Sequence, residues 1–219
     1  MVLEMLDFRW LPAAPKLHLR QKNLVWVSAG MLAAATAGTL GSQTRDSDLT
    51  NKLANAAVER THHAVRYDPS YVRIPYPGGD VPANTGVCTD EIIRIYRSIG
   101  IDLQREVHDD IVRAPRAYPR AHLPPDTNID HRRVPNLMVF FQRHGEVLPI
   151  SPRASDYQPG DVVTWDLGHG VNHIGMVVNQ YDTVSRRPVM VHNIGAGPKM
   201  EDVLFAWRIT GHFRYDGRR

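Results

Sequence analysis

Apolar positions recur at helical spacing through the first two thirds of the chain and give way to short β-rich runs in the last third. A first helix is predicted from an N-cap at Ser47 or Asp48 to about Thr61, with Leu49, Leu53, Ala56 and Ala57 on one face. After Cys88, the residues Ile92, Ile95, Tyr96 and Ile99 mark a second amphipathic helix, and Gly100 is placed to end it. Leu103, Val107 and Ile111 step by four through a third helix. A fourth starts at Pro135, a favoured first-turn residue, and carries Leu137, Met138 and Phe141 toward Gly145. The runs 162–165, 174–178, 189–191 and 204–209 are β-branched or aromatic, bounded by turn residues, and predict an antiparallel meander. Helices first and strands afterwards indicate an α+β fold, with the N-terminal helices packed on a C-terminal antiparallel sheet.

Between these elements lie two stretches rich in turn formers. Residues 67–85 contain Asp68-Pro69, Pro75, Pro77-Gly78-Gly79-Asp80 and Pro82, and lead directly to Cys88. Residues 114–133 hold Pro115, Pro119, Pro124 and Pro125 among Arg and His, long for a structureless loop, and loops of this kind often serve as lids or binding edges.

The N-terminus alters the picture of charge and compartment. Lys16, Arg20 and Lys22 precede the apolar run 24–35, and Ala35-Thr36-Ala37 offers a small-residue cleavage site. This is the layout of a signal peptide over residues 1–37, the alternative being an uncleaved anchor. The remaining residues, 38–219, are expected to form one domain, exported to the periplasm or the extracellular space, with no stable membrane insertion after cleavage. The formal charge of +3 drops to about +1 without the leader, which carries Arg9, Lys16, Arg20 and Lys22 against Glu4 and Asp7. No basic run interleaved with aromatics remains, so nucleic acid is not an expected partner.

Cys88 is the chain's single cysteine. In an oxidising compartment it has no internal partner. At the start of a helix the free N–H groups and the positive dipole end favour thiolate, as in activated nucleophiles. The alternative is a buried structural cysteine. A nucleophilic thiol needs an imidazole in reach, and that imidazole needs a third group to fix its tautomer. His173 opens one predicted strand and His192 closes the next, so an antiparallel pairing of the two makes them neighbours. Asn193 is an alternative third group. A zinc site on His169, His173 and His192 is another reading, weakened by Gly168-His169-Gly170 looking like a turn, and no metal or other cofactor is expected.

At this point the residues resemble a known family. Pro75-Tyr76-Pro77-Gly78-Gly79, Cys88 and Gly100-Ile101-Asp102-Leu103-Gln104-Arg105 are similar to the PYxxGG, DCSG and GIxLPR signatures of the NlpC/p60 papain-like cysteine peptidases. Gln158-Pro159-Gly160-Asp161-Val162-Val163, His173-Ile174-Gly175-Met176 and Val191-His192-Asn193 resemble the strands that follow in that family. The stretch 128–137 and Gly195-Ala196-Gly197-Pro198 look closer still to the YijF-like bacterial domain-of-unknown-function family, allied to the same clan. The resemblance implies a papain-like fold with Cys88 as nucleophile, His173 as general base and then acid, and His192 as its orienting partner. It also implies Tyr76 in the pocket near the thiol, its hydroxyl joining the Cys88 N–H at the oxyanion, and peptidoglycan stem peptides as substrate.

Where DCSG stands in the family, this chain has Val87-Cys88-Thr89-Asp90. The acidic residue that precedes the nucleophile, in a region that holds a stem-peptide amine in the family, is missing. Asp90 is a candidate substitute. Arg132 and Arg133 are either a solvated pair or a clamp for substrate carboxylates. The resulting expectation is an exported cysteine hydrolase that cleaves a peptide or amide bond in peptidoglycan. The alternatives are an acyltransferase using the same thiol, and a non-catalytic wall-binding module of the same fold.

Overall fold

The computed structural model describes residues 48–217. The proposed leader, 1–37, lies outside them. Helix α1 covers 48–60, and it is followed by a two-residue parallel ladder between β1 (Arg66–Tyr67) and β2 (Thr85–Gly86). Three eleven-residue helices come next: α2 (Cys88–Ser98), α3 (Leu103–Arg113) and α4 (Val134–His144). The strands are β3 (Glu146–Val147), β4 (Val162–Asp166), β5 (Asn172–Tyr181), β6 (Pro188–Asn193), β7 (Pro198–Glu201) and β8 (Arg208–Arg214). They make one antiparallel sheet in the order β3-β8-β4-β5-β6-β7. Among the described residues no helix is long and apolar enough to cross a membrane.

The sheet is buried on both sides, which explains why its strands read as continuous apolar runs. Val162, Ile174, Met176, Val178 and Val191 pack with Ile92, Ile95, Leu103, Phe140 and Phe141 of the helices. The alternate residues Val163, Trp165, Val177 and Met190 pack with Tyr157 and Leu204. Leu204 belongs to a turn, contrary to the strand expected over 204–209. It is buried, and its carbonyl accepts the Trp165 indole N–H at 3.0 Å, so its apolar character serves this second core layer. The strand itself begins at Arg208.

The turn-rich stretches are ordered by a few polar side chains. Gln104 is fully buried: it accepts the Gly79 N–H at 2.7 Å and donates to the carbonyls of Pro75 and Thr127 at 2.9 and 3.1 Å. A Cβ on Gly79 would stand 1.9 Å from the Pro75 carbonyl oxygen, so only glycine closes this turn. Residues 114–133 are a compact wall containing 3-10 turns at Pro115–Ala117 and Asp130–Arg132, fastened to α3 by the Tyr118 hydroxyl donating to Asp110 at 2.6 Å.

Candidate active site around Cys88

Val87 is the extended N-cap of α2, and its N–H is received by the Asp90 carboxylate at 2.7 Å, so the helix starts with Cys88 in its first turn. The side chain is buried, 5% exposed. The backbone amides of Ile174, Thr89 and Cys88 itself favour the thiolate. One of these amides belongs to Ile174, the residue that follows His173. Burial nevertheless pushes the thiol pKa up to about 12, so loss of water outweighs the amides. The thiolate expected from the helix N-terminus is not the resting form.

β5 and β6 pair antiparallel with Gly175 opposite His192, and this brings the two histidines together. His173 Nε2 and His192 Nδ1 are 2.9 Å apart, and His192 Nε2 lies 3.0 Å from Glu201 Oε2 on β7. A carboxylate only accepts, so His192 carries its proton on Nε2 and offers the Nδ1 lone pair. His173 then donates from Nε2, which leaves Nδ1 as its free basic nitrogen. Both rings are buried: desolvation lowers the His173 pKa to about 3, assisted by His192, and lowers that of His192 against the pull of Glu201. Trp165 stacks on His173 at 5.7 Å between ring centroids, and Trp207 presents its edge to both histidines at 6.0 and 6.1 Å. A Cβ on Gly175 would press on Val191, His192 and Trp165 at 3.0–3.1 Å, so the glycine gives the imidazole pair its room. Among the described residues no hydrogen bond joins the Cys88 sulfur directly to His173.

Asn193 is buried, and its side-chain oxygen receives the Gly195 N–H at 3.1 Å; it shapes the turn after β6 and is not bonded to His173. His169 is exposed on its turn, and no group of three or more His, Cys, Asp or Glu side chains is arranged to hold a metal among the described residues.

A cavity of about 420 Å³ opens beside the thiol. Its wall includes Cys88, Tyr67, Asn172, Arg120, Arg132 and Arg133. Tyr76, expected here, is elsewhere: its hydroxyl donates to Asp109 of α3 at 2.9 Å and its ring packs edge-on to His108. The tight Pro75–Gly79 turn carries it to α3. Tyr67 is the tyrosine near the sulfur; burial raises its phenol pKa, with Cys88 and Asp90 adding to the shift. It sits on β1, whose pairing with Gly86 sets it next to the start of α2.

Asp90 and Arg132, expected to meet substrate, meet each other. Arg132 Nε and Nη2 donate to the two Asp90 carboxylate oxygens at 2.8 and 3.0 Å, and Nη1 donates to the Ser70 carbonyl at 3.0 Å. Both side chains are buried, so Arg132 is not solvated beside Arg133 as one reading had it, and the Asp90 carboxylate expected to hold an amine is occupied by the helix cap and by Arg132. Arg133 is half-buried and faces the cavity, its guanidinium 3.9 Å from Asp130, and burial lowers its pKa with help from the nearby Arg120. Glu201, Tyr67 and Arg120 escaped the sequence reading. The Arg66-Tyr67 step ahead of Asp68-Pro69 and the run of arginines in 114–133 were the available signals for two of them; the 198–201 run carries none for Glu201.

Residues 54–215 match the family described as Domain of unknown function (DUF1287). The chain is 48% identical over 165 residues to "Uncharacterized protein YijF" of Escherichia coli (strain K12), covering 74% of this chain and 80% of that protein. Among solved structures it is similar to NlpC1 from Trichomonas vaginalis, with a TM-score of 0.42 and 17% identity over 76% of this chain and 44% of that one.

Proposed function

The chain belongs to the family described as Domain of unknown function (DUF1287), and on that premise we propose that it is an exported papain-like cysteine hydrolase cleaving a peptide or amide bond of peptidoglycan. One observation carries the reading: a hydrogen-bonded line runs from Glu201 through His192 to His173, and the amide of Ile174, the next residue, acts on the only thiol in the chain. Its polarity leaves His173 Nδ1 able to accept a proton.

In this mechanism His173 Nδ1 takes the Cys88 proton as the sulfur attacks the substrate carbonyl carbon. The oxyanion of the tetrahedral intermediate is met by the Cys88 N–H and by the Tyr67 hydroxyl, which takes the part expected of Tyr76; such a donor contributes about 2.7–4 kcal/mol in other acyl-transfer enzymes. Collapse breaks the C–N bond, and the imidazolium passes its proton to the departing amine. Water then attacks the thioester, giving its proton to His173 and releasing a carboxylic acid and the free thiol. Because thiol and imidazole are both neutral at rest, the proton moves only when substrate is in place.

The test is incubation of the purified full chain, and of its Cys88→Ala and His173→Ala variants, with purified peptidoglycan, followed by mass analysis of released fragments and an added amine acceptor in a parallel tube. Fragments from the unaltered chain alone support the hydrolase and identify the bond. Acceptor adducts in their place favour the transferase. Binding by all three proteins without release makes the wall-binding module the better reading.

A further inference from the structure

We propose that Arg120 and Arg133 form an anion subsite in the cavity beside Cys88, which holds a carboxylate of the acyl substrate next to the bond that is cleaved. The inference rests on Cys88 being the reacting group and specifies what its substrate carries.

Three arginines line this cavity and no Asp or Glu does. The charge of Arg132 is already met by the bidentate Asp90 pair. Arg120 makes no ion pair with any described residue, and Arg133 reaches Asp130 only at 3.9 Å. That carboxylate is shared with His108 at 3.1 Å and with the Asp126 N–H at 2.7 Å. Arg120 and Arg133 thus act on each other at one opening; Asp126 and Asp130 both oppose the charge of Arg133, but Asp126 is already bonded to Asn128 and to the Tyr71 hydroxyl, at 2.8 and 3.0 Å. Val87, Cys88 and Thr89 at the start of α2, and Val134, Pro135 and Asn136 at the start of α4, line the same space, so two positive helix ends add to the field. Such a setting selects an anion. It has nothing to offer the amine expected from the family pattern, because Asp90 is occupied. The 114–133 segment supplies Arg120, which gives this wall its binding role.

The two charges are read by the alkylation of Cys88 with iodoacetate and with iodoacetamide, reagents of similar size that differ in one negative charge. In each, the sulfur displaces iodide: one S–C bond forms, one C–I bond breaks, and the thiol proton leaves. The products differ in mass, and no other cysteine competes. The ratio of the iodoacetate rate to the iodoacetamide rate is compared between the native full chain and the same chain unfolded in urea. A subsite raises the native ratio about tenfold. Arg120→Gln lowers it several-fold, Arg133→Lys retains most of it, and 0.5 M salt reduces it in the unaltered protein, about as screening requires. A native ratio at or below the unfolded one overturns the proposal, as does a ratio indifferent to Arg120→Gln and salt. Both rates pass through the small thiolate fraction of a thiol raised to about 12, so the reactions are followed at a pH high enough for Cys88 to react, where both arginines keep their charge. A native Cys88 that reacts with neither reagent even as the pH is raised also overturns the proposal, since the cavity then does not lead to the thiol. A clear preference in a protein that releases nothing from peptidoglycan keeps the subsite and rejects the hydrolase. Release without the preference does the reverse.

Discussion

The proton on His173 is assigned by a group two hydrogen bonds away. Glu201 accepts from His192, His192 accepts from His173, and the free lone pair of His173 follows from that order. Removing the carboxylate lets His192 take either tautomer, and half of the choices put the His173 proton on the wrong nitrogen. Glu201→Ala is therefore expected to lower kcat about 10²-fold with little change in KM. Glu201→Gln keeps an accepting oxygen and recovers much of the loss. The ¹⁵N chemical shifts of His173 supply the readout that a structural role would not move: they should report protonated Nε2 in the unaltered chain and a tautomer mixture in Glu201→Ala. Unchanged shifts and rates in both variants would remove Glu201 from the relay. The meeting of His173 with His192 and the place of Cys88 at the start of α2 were legible because each residue sits near the end of a strongly patterned element. Glu201 was not, since Pro198-Lys199-Met200-Glu201 shows no strand pattern of its own and becomes β7 only by pairing with β6. Tyr76 misled because its motif marks a turn locked by Gln104, while the tyrosine at the thiol is held by a two-residue ladder too short to leave a pattern.

Helix α2 is held at its first turn, the turn that carries Cys88, by the Asp90–Arg132 pair. Asp90 receives one backbone N–H and two guanidinium N–H groups in a buried setting. Asp90→Ala leaves Arg132 charged and buried without its partner, a change that costs about 3–5 kcal/mol. Asp90→Ala with Arg132→Met removes both charges and should recover most of that loss. Urea unfolding of the two variants checks this. A single variant that unfolds like the unaltered chain but fails to bind substrate would return Asp90 to the ligand role suggested by the sequence. The four helices were legible from one-sided apolar stripes, and β4, β5 and β6 from their apolar runs. The last strand was displaced because Leu204 and Phe205 carry β-type residues into a turn that covers Trp165. A local pattern reports burial, and burial here belongs to a second core layer.

Across the whole molecule, buried histidines in different regions make folding sensitive to acid, His131 and His173 the most strongly shifted of them. His131, in the turn before α4, has a pKa of about 3, lowered by burial and then by Arg132; its Nδ1 finds no hydrogen-bond partner. His173, on the sheet, is also near 3 through burial and His192. In the unfolded chain both return to the ordinary value near 6.5. The unfolded state therefore binds more protons between about pH 6.5 and pH 3, and stability falls as pH drops through that window. Above it neither group contributes to the slope, and below it the full loss has accrued. Each group can add up to roughly 1.4 kcal/mol per pH unit inside the window. Urea unfolding at pH 7, 5.5 and 4 measures the slope, and His131→Gln, which cannot titrate, should lower it by about one such group. If stability were flat over this range, both imidazoles would have to gain water or a counter-charge in the folded chain. His173 would then no longer be the dry neutral base on which the proposed chemistry depends.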